Sequence, residues 1–156
     1  MDSILYPIIY YILFAPIGLG LEAAIAFKAI STMDSMIGYK KPGLKELGYA
    51  GARLDDLANW IPARLSIILI ALARPRGARS AIREAFKYHS ATPSPNSGWP
   101  MAAAAGSLKI RLEKPGQYIL LGENPNPETR DIFRATGLIQ SAIALTLAAA
   151  FICLLL

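Results

Sequence analysis

Three stretches with almost no charge divide the chain. They cover residues 4–27, where Glu22 is the only charge, residues 57–73, where Arg64 is the only charge, and residues 138–156, which carry none. A helix needs about 20 residues to cross a bilayer core. The first and third stretches are long enough, whereas the second is shorter and polar at its start. The pattern predicts an all-α integral membrane protein, a multi-pass helical bundle forming one domain over residues 1–156.

Proline and glycine subdivide these stretches. Pro16 lies inside the first one and predicts a kink or a division there. Ala78–Tyr88 reads as a basic amphipathic helix at the membrane surface, with Ala78, Ala81, Ile82, Ala85 and Phe86 on its apolar face. The remaining expectations are irregular chain at 91–100, a short helix at 101–108, extended or irregular chain at 110–121, a loop at 122–127, and a last helix from near Glu128 or Asp131.

Composition agrees with a membrane location. Hydrophobic residues make up 54% and charged residues 17%, against about 25% charged in soluble domains. The net charge is +5, and much of the basic excess directly follows the middle apolar stretch. That position is typical of a cytoplasmic membrane flank and does not indicate nucleic-acid binding. We interpret the first stretch as a retained membrane segment, because a signal peptide has a basic start and this chain begins with Asp2 as its only early charge.

Cysteine and histidine chemistry is restricted. Cys153 is the only cysteine and His89 the only histidine. The chain therefore offers no internal disulfide and no metal site built on several of these side chains. His89 has no evident partner for nucleophilic catalysis.

A first polar cluster lies at residues 28–39. On a helix, Lys28, Thr32 and Ser35 share one face and Asp34 is offset from it. The alternative is an ordinary polar helix end.

A second cluster lies at residues 52–64. Asp55, Asp56 and Asn59 offer the hard oxygen ligands that suit Mg²⁺, and either aspartate is placed to cap the following helix. Arg53 and Arg64 suit bidentate binding of phosphate or carboxylate. The alternative is a structural ion pair between aspartate and arginine.

A third cluster is a rigid loop at residues 94–100. Ser94, Asn96 and Ser97 supply hydroxyl and amide groups just before a predicted helix start, where free backbone N–H groups bind anions. The alternative is a simple connection. A fourth polar stretch, 122–127, is better explained as a loop and helix cap.

These clusters together resemble the adenosylcobinamide-phosphate synthase family (CbiB/CobD). The motifs are residues 31–39, 52–56, 61–64 and 94–100, in that order, and the resemblance runs from about Pro16 to the end. It implies a multi-pass enzyme of the cell membrane with its functional loops in the cytoplasm. Family members join adenosylcobyric acid to aminopropanol, or to its phosphate, through an amide bond. The reaction is that of an ATP-consuming acid–amine ligase of cobalamin biosynthesis, which implies ATP and Mg²⁺ as cofactors.

With this family in view, side-chain chemistry assigns roles. We predict Asp34, Asp55 and Asp56 as Mg²⁺ ligands and, with Asn59, as catalytic residues. We predict substrate binding by a set of cationic, hydroxyl and amide side chains: Lys28, Thr32, Ser35, Arg53, Arg64, Ser94, Asn96 and Ser97. The expected partners are the corrinoid, the amino alcohol (or its phosphate) and membrane lipid.

The resemblance also shows departures. Family members are longer, so we expect this chain to correspond to the later half of one and to work with the other half or as a homo-oligomer. Met101 stands where many members have glutamate. Two alternatives follow: a non-catalytic membrane subunit with the family fold, or a fragment of a transporter for an anionic solute, since broken polar helices also mark transport sites.

Topology leaves a choice open. If residues 57–73 simply cross the membrane, the clusters at 31–56 and 94–100 fall on opposite sides. They share a side only if an apolar segment is re-entrant, lies at the surface or is split at Pro16. Arg64, a charge near the middle of its stretch, favours a segment that is re-entrant or lies at the surface.

Overall fold

Helices dominate the computed structural model, which describes residues 3–37 and 45–155. The elements are α1 (Leu5–Phe14), α2 (Gly20–Ile37), α3 (Lys45–Ala58), α4 (Trp60–Ala73), α5 (Ala78–Tyr88), α6 (Gly98–Leu108), β1 (Leu112–Lys114), β2 (Tyr118–Leu120) and α7 (Thr129–Leu155). The two strands pair antiparallel, with Leu112 opposite Leu120. The all-α prediction therefore holds for the helices but omits a small hairpin, which lies in the stretch expected to be extended or irregular.

Contacts within the chain group it into two compact units. One unit comprises residues 1–62 and 146–156, and the other comprises residues 63–145. Helix α4 begins in the first unit and ends in the second, and α7 does the reverse. The prediction of one membrane domain is not tested by this grouping and stays a prediction.

In the first unit, the first apolar stretch folds into a helical hairpin. Pro16 lies in a short 3₁₀ turn, Ala15–Ile17, and Gly18 follows with φ of +77°, a left-handed value that favours glycine. The N–H of Gly18 donates to the Ala15 carbonyl at 2.9 Å, and that of Leu19 donates to the Phe14 carbonyl at 3.1 Å. This pair of bonds is the Schellman pattern of helix ends. The predicted division at Pro16 is confirmed, and residues 4–27 do not form one continuous helix.

Aromatic rings hold the hairpin together. Phe27 of α2 is buried, and its ring lies 5.1 Å from the Tyr10 ring and 6.2 Å from the Tyr6 ring of α1. Gly20 permits the close approach, because a Cβ there would lie 2.9 Å from the Tyr11 carbonyl oxygen. The Tyr10 hydroxyl donates to the Ala58 carbonyl at 2.8 Å and so ties α1 to the end of α3.

In the second unit, α5 and α6 pack through small side chains. Ala81 and Ala85 of α5 and Ala102 and Ala105 of α6 are fully buried. The predicted bounds of α5 are confirmed, whereas α6 begins at Gly98, earlier than the predicted 101. Pro100 fits within its first turn, because backbone N–H groups there need no partner inside the helix.

Two helical stretches are long and apolar enough to cross a membrane. They are Gly48–Ala73, with 26 residues, and Thr129–Leu155, with 27 residues. Only 17% of the apolar window of the second is buried, and Phe133, Phe151 and Leu155 are exposed. A core helix of a soluble protein is mostly buried, so these exposed side chains suit a lipid environment. The chain is consistent with a helical membrane protein.

Two glycines test how α5 and α6 pack. A Cβ at Gly106 would lie 2.8 Å from the Ser80 carbonyl oxygen and 2.9 Å from Glu84 Cβ. We expect Gly106→Ala to force the helices apart and to lower the free energy of unfolding by about 1–3 kcal/mol. Gly137 on α7 has nothing within 4 Å of that position. The control Gly137→Ala should leave the free energy of unfolding unchanged or raise it by up to about 1 kcal/mol.

Thermal unfolding in detergent, followed by far-UV circular dichroism, measures both variants. Equal midpoints for Gly106→Ala and the parent protein would contradict the close packing of α5 on α6.

Candidate functional site

Asp55, Asp56 and Asn59 mark the end of α3. Both aspartates lie in its last turn, so neither stands directly before α4, where a capping residue was expected. Asn59 occupies the position between the two helices, and its Nδ2 donates to the Asp55 carbonyl at 2.8 Å and to Asp55 Oδ2 at 2.7 Å. Its Oδ1 is buried without a partner among the described residues. The Asp55 carboxylate is thus turned towards Asn59.

Asp34 and Asp56 form an acidic pair across α2 and α3. The two helices approach closely at Gly51, where a Cβ would lie 3.9 Å from Asp34 Cα. Asp56 interacts electrostatically with Arg53 and with Asp34. Arg53 itself is exposed; its Nε donates to the Tyr49 hydroxyl at 3.0 Å and its guanidinium lies 5.2 Å from the centre of the Tyr49 ring.

The predicted three-aspartate metal set is not assembled. Within residues 3–37 and 45–155, no three acidic, histidine or cysteine side chains come close enough to hold one ion. Asp55 and Asp56 are successive on a helix and point about 100° apart, and Asp55 binds Asn59. Asp34 and Asp56 remain as a pair. Mg²⁺ binds through one or two carboxylates and completes its shell with water and phosphate oxygens, so Asp34 and Asp56 are the candidate ligands. The use of Mg²⁺ stays a prediction.

Lys28, Thr32 and Ser35 lie on α2 as expected for one helical face. The hydroxyl of Thr32 donates to the Lys28 carbonyl at 2.8 Å, and that of Ser35 donates to the Ser31 carbonyl at 2.9 Å. Both hydroxyls are therefore satisfied inside the helix. Lys28 and Thr32 also line an open groove of about 590 Å³, whose other lining residues are apolar: Ile25, Ala29, Met33 and Met36. Lys28 and Thr32 therefore have more apolar surroundings than the sequence indicated.

The second unit gathers Arg64 and the predicted loop into one cluster. The Arg64 guanidinium lies 5.0 Å from the centre of the Trp99 ring, and its Nη1 donates to Asn96 Oδ1 at 3.4 Å. Trp99 and Asn96 are only 7% and 4% exposed. We call this cluster the loop site, and it comprises Arg64, Thr92, Ser94, Asn96, Ser97 and Trp99.

Hydroxyl groups shape the loop itself. Ser94 Oγ accepts the backbone N–H groups of Asn96 at 3.3 Å and of Ser97 at 3.4 Å. Ser97 Oγ donates to Thr92 Oγ1 at 3.0 Å, and Thr92 Oγ1 donates to the Ser94 carbonyl at 3.0 Å. Ser94 and Ser97, predicted to bind substrate, therefore make hydrogen bonds within the loop, while Asn96 contacts Arg64.

The loop site has the donors that an anion requires. Arg64 supplies a fork of N–H groups, and the indole N–H of Trp99 is buried without a partner in the described part of the chain. A buried donor without a partner is costly, so such a group is a candidate for ligand binding. The first turn of α6 begins beside it at Gly98, and helix starts favour negative charge.

Comparison with known proteins identifies the family. The family model described as CobD/Cbib protein matches residues 1–146. The chain belongs to the CobD/CbiB family. A relative from Methanothrix thermoacetophila, named a probable cobalamin biosynthesis protein CobD, is 57% identical over 145 residues, which is 93% of this chain and 46% of the relative. The cobalamin biosynthesis protein CobD of Rhodobacter capsulatus is 42% identical over 136 residues, 80% of this chain and 42% of the relative.

The match covers only part of each relative. A third one, from Methanothermobacter thermautotrophicus, is 43% identical over 76% of this chain and 39% of its own length. The chain thus spans less than half the length of these CobD relatives. No solved structure matches the chain.

The sequence did not reveal the role of His89 in this CobD/CbiB family member. Its ring stacks on the Trp99 indole, with centroids 4.0 Å apart and planes inclined by 5°. Gly98 makes room, because a Cβ there would lie 1.9 Å from the His89 carbonyl oxygen. No spacing rule links a histidine after α5 to a tryptophan across an irregular turn, so a single sequence carries no signal for this contact.

The Met101 side chain packs against the β1–β2 hairpin. It is half-buried and packs with Tyr118 against an apolar cluster of Ala105, Leu120 and Leu121. The Tyr118 hydroxyl also lies 3.9 Å from its sulfur. In this family member the side chain after Pro100 therefore contributes to packing.

Removal of one hydroxyl tests the loop geometry. Ser94→Ala deletes the acceptor of two backbone N–H groups, and we expect about 1–2 kcal/mol less protection of residues 96–99. Hydrogen–deuterium exchange measures this loss. The exposed Ser90 provides the control variant Ser90→Ala, which should not change exchange in the loop. Equal protection in the parent protein and Ser94→Ala would contradict the role of the hydroxyl.

Proposed function

We propose that the chain serves the amide-forming step of cobalamin biosynthesis, in which adenosylcobyric acid is joined to aminopropanol or its phosphate. Its CobD/CbiB family membership and the names of its relatives support the pathway. The observation that carries the proposal is the position of Arg64 against Asn96 and Trp99, beside a buried indole N–H that has no partner among the described residues.

The substrates match the chemistry of the loop site. One substrate presents a carboxylate, and the phosphorylated amino alcohol presents a phosphate. A guanidinium binds either group through two parallel hydrogen bonds. Trp99 and Asn96 orient the guanidinium before the substrate arrives, which lowers the entropy lost on binding. We assign Arg64 and the Trp99 indole N–H to this anionic group.

Amide formation requires activation of the carboxylate. A carboxylate resists attack by an amine until its oxygen is converted into a leaving group, and ATP provides this by transfer of a phosphoryl or an adenylyl group. The amine then attacks the carbonyl carbon and expels phosphate or AMP. Asp34 and Asp56 are our candidates to hold Mg²⁺, which neutralises phosphate charge during such a transfer.

The membrane setting belongs to the proposal. We propose a multi-pass protein of the cell membrane with the loop site on the cytoplasmic side, where the substrates are found. Five basic residues between 74 and 87, next to the end of a candidate span, support that orientation.

An activity assay tests the proposal. The chain, purified in detergent, is given adenosylcobyric acid, aminopropanol phosphate and Mg-ATP, and the amide product is measured by mass spectrometry. We expect Arg64→Lys to reduce product formation by roughly 100-fold, because the charge stays but the paired hydrogen bonds are lost. Arg130→Lys is the matched control, since Arg130 is exposed and pairs with Glu128.

The outcomes separate the alternatives. Product that depends on ATP and on Arg64 supports the ligase. Absence of product, with corrinoid binding that still depends on Arg64, contradicts it and favours a non-catalytic membrane subunit. ATP-independent uptake of an anionic solute into vesicles contradicts it and favours a transporter.

Mg²⁺ dependence tests the acidic pair separately. We expect Asp34→Asn and Asp56→Asn to raise the Mg²⁺ concentration for half-maximal activity by about tenfold or more, because each removes a charged ligand. Asp55→Asn keeps the oxygen that accepts from Asn59 and should not change it. A larger effect at Asp55 than at Asp56 would contradict our assignment.

A further inference from the structure

The exposed side of α5 carries basic and apolar side chains together. Ala81 and Ala85 face inward, whereas Ile82 and Phe86, predicted to share their apolar face, are 44% and 64% exposed. Arg79, Arg83 and Lys87 are exposed as well. Helical spacing places these five residues on one side of the helix. We call them the α5 stripe: Arg79, Ile82, Arg83, Phe86 and Lys87.

The stripe lies within the most basic part of the chain. Residues 74–88 contain five basic side chains and one acidic one, Glu84, while the net charge of the whole chain is +5. Glu84 is buried, and its Oε1 accepts from Arg83 Nε at 2.8 Å. A hydrogen bond with Tyr88 raises the pKa of Lys87, so this side chain keeps its charge. The exposed surface of α5 is therefore cationic.

The stripe also adjoins a candidate membrane span. Gly48–Ala73 ends directly before Arg74, and Arg74 and Arg76 continue the basic run towards α5. A membrane surface with anionic lipids offers phosphates to the cations and an acyl boundary to the apolar side chains. Nucleic acid would satisfy the cations but not Ile82.

We propose that the α5 stripe is a docking surface for anionic phospholipid headgroups. Arg79, Arg83 and Lys87 contact the lipid phosphates, and Ile82 and Phe86 enter the upper acyl region. This inference is independent of the proposed function. It has a consequence for the loop site, since the Phe86 and Trp99 rings pack nearly perpendicular, with centroids 5.3 Å apart and planes inclined by 88°. A side chain seated in lipid would then touch the residue that holds Arg64.

Two measurements on the full chain test the docking surface. The first places a nitroxide at residue 82 through Ile82→Cys in a Cys153→Ala background, in nanodiscs of phosphatidylcholine with phosphatidylglycerol. We expect the label to be more accessible to oxygen, which concentrates in the acyl region, than to a nickel complex, which stays in water. The second measures, by native mass spectrometry, how strongly the protein enriches phosphatidylglycerol over phosphatidylcholine. Arg79→Gln, Arg83→Gln and Lys87→Gln combined should reduce this enrichment at least about tenfold.

Matched controls separate this effect from total charge and from unfolding. Lys109→Gln, Lys114→Gln and Arg130→Gln combined remove the same charge from other exposed positions and should leave the enrichment unchanged. In the parent protein, added salt should weaken the enrichment, which keeps the test valid if the triple variant misfolds. The proposal would be overturned if the nickel complex reached the label equally well in nanodiscs with phosphatidylglycerol and in nanodiscs without it. A label shielded from both reagents would also overturn it, because another protein segment would then cover the stripe.

Discussion

A guanidinium on an apolar helix needs hydrogen-bond acceptors or an aromatic ring beside it. In the second unit, the contacts of Arg64 with such groups connect α4 to the loop and to α6. Placing a charge among apolar side chains costs several kcal/mol unless hydrogen bonds or a π-face compensate. Trp99 supplies the π-face and Asn96 supplies the oxygen. Both are nearly fully buried, and both belong to the segment folded by the hydroxyls of Thr92, Ser94 and Ser97. The loop is therefore shaped by its own hydrogen bonds as well as by its contact with Arg64.

Small residues make this arrangement possible. The His89 ring rests on Trp99 only because Gly98 has no Cβ, and α5 meets α6 closely because alanine and Gly106 line the contact. Close packing of this kind transmits small displacements, since well-packed elements cannot deform freely. The indole thus has His89, Phe86 and Arg64 as neighbours, one from each of the segments around it.

Several local signals in the sequence were reliable, whereas the contacts between distant residues were not predictable. The bounds of α5 and the division at Pro16 follow from helical periodicity and from the missing N–H of proline, which act over a few residues. The hairpin of β1 and β2 is too short to show a periodic pattern. The metal set of Asp34, Asp55 and Asp56 was inferred from ligand chemistry alone. The described residues do not bring the three carboxylates together, because the composition of a cluster does not contain the direction of each side chain on its helix.

The helical hairpin of α1 and α2 bears on the orientation of the chain. Its helices fold back on each other at Gly18, with Tyr6 and Tyr10 against Phe27. Helix α1 has only 10 residues, too few to cross a bilayer core, so a hairpin built on it returns to the face at which it enters. In a bilayer, this fold would bring the last turns of α2, with Thr32 and Asp34, back towards the side on which α1 begins. The Schellman turn therefore matters for topology, because it would let the first apolar stretch enter a bilayer without carrying the chain to the other side.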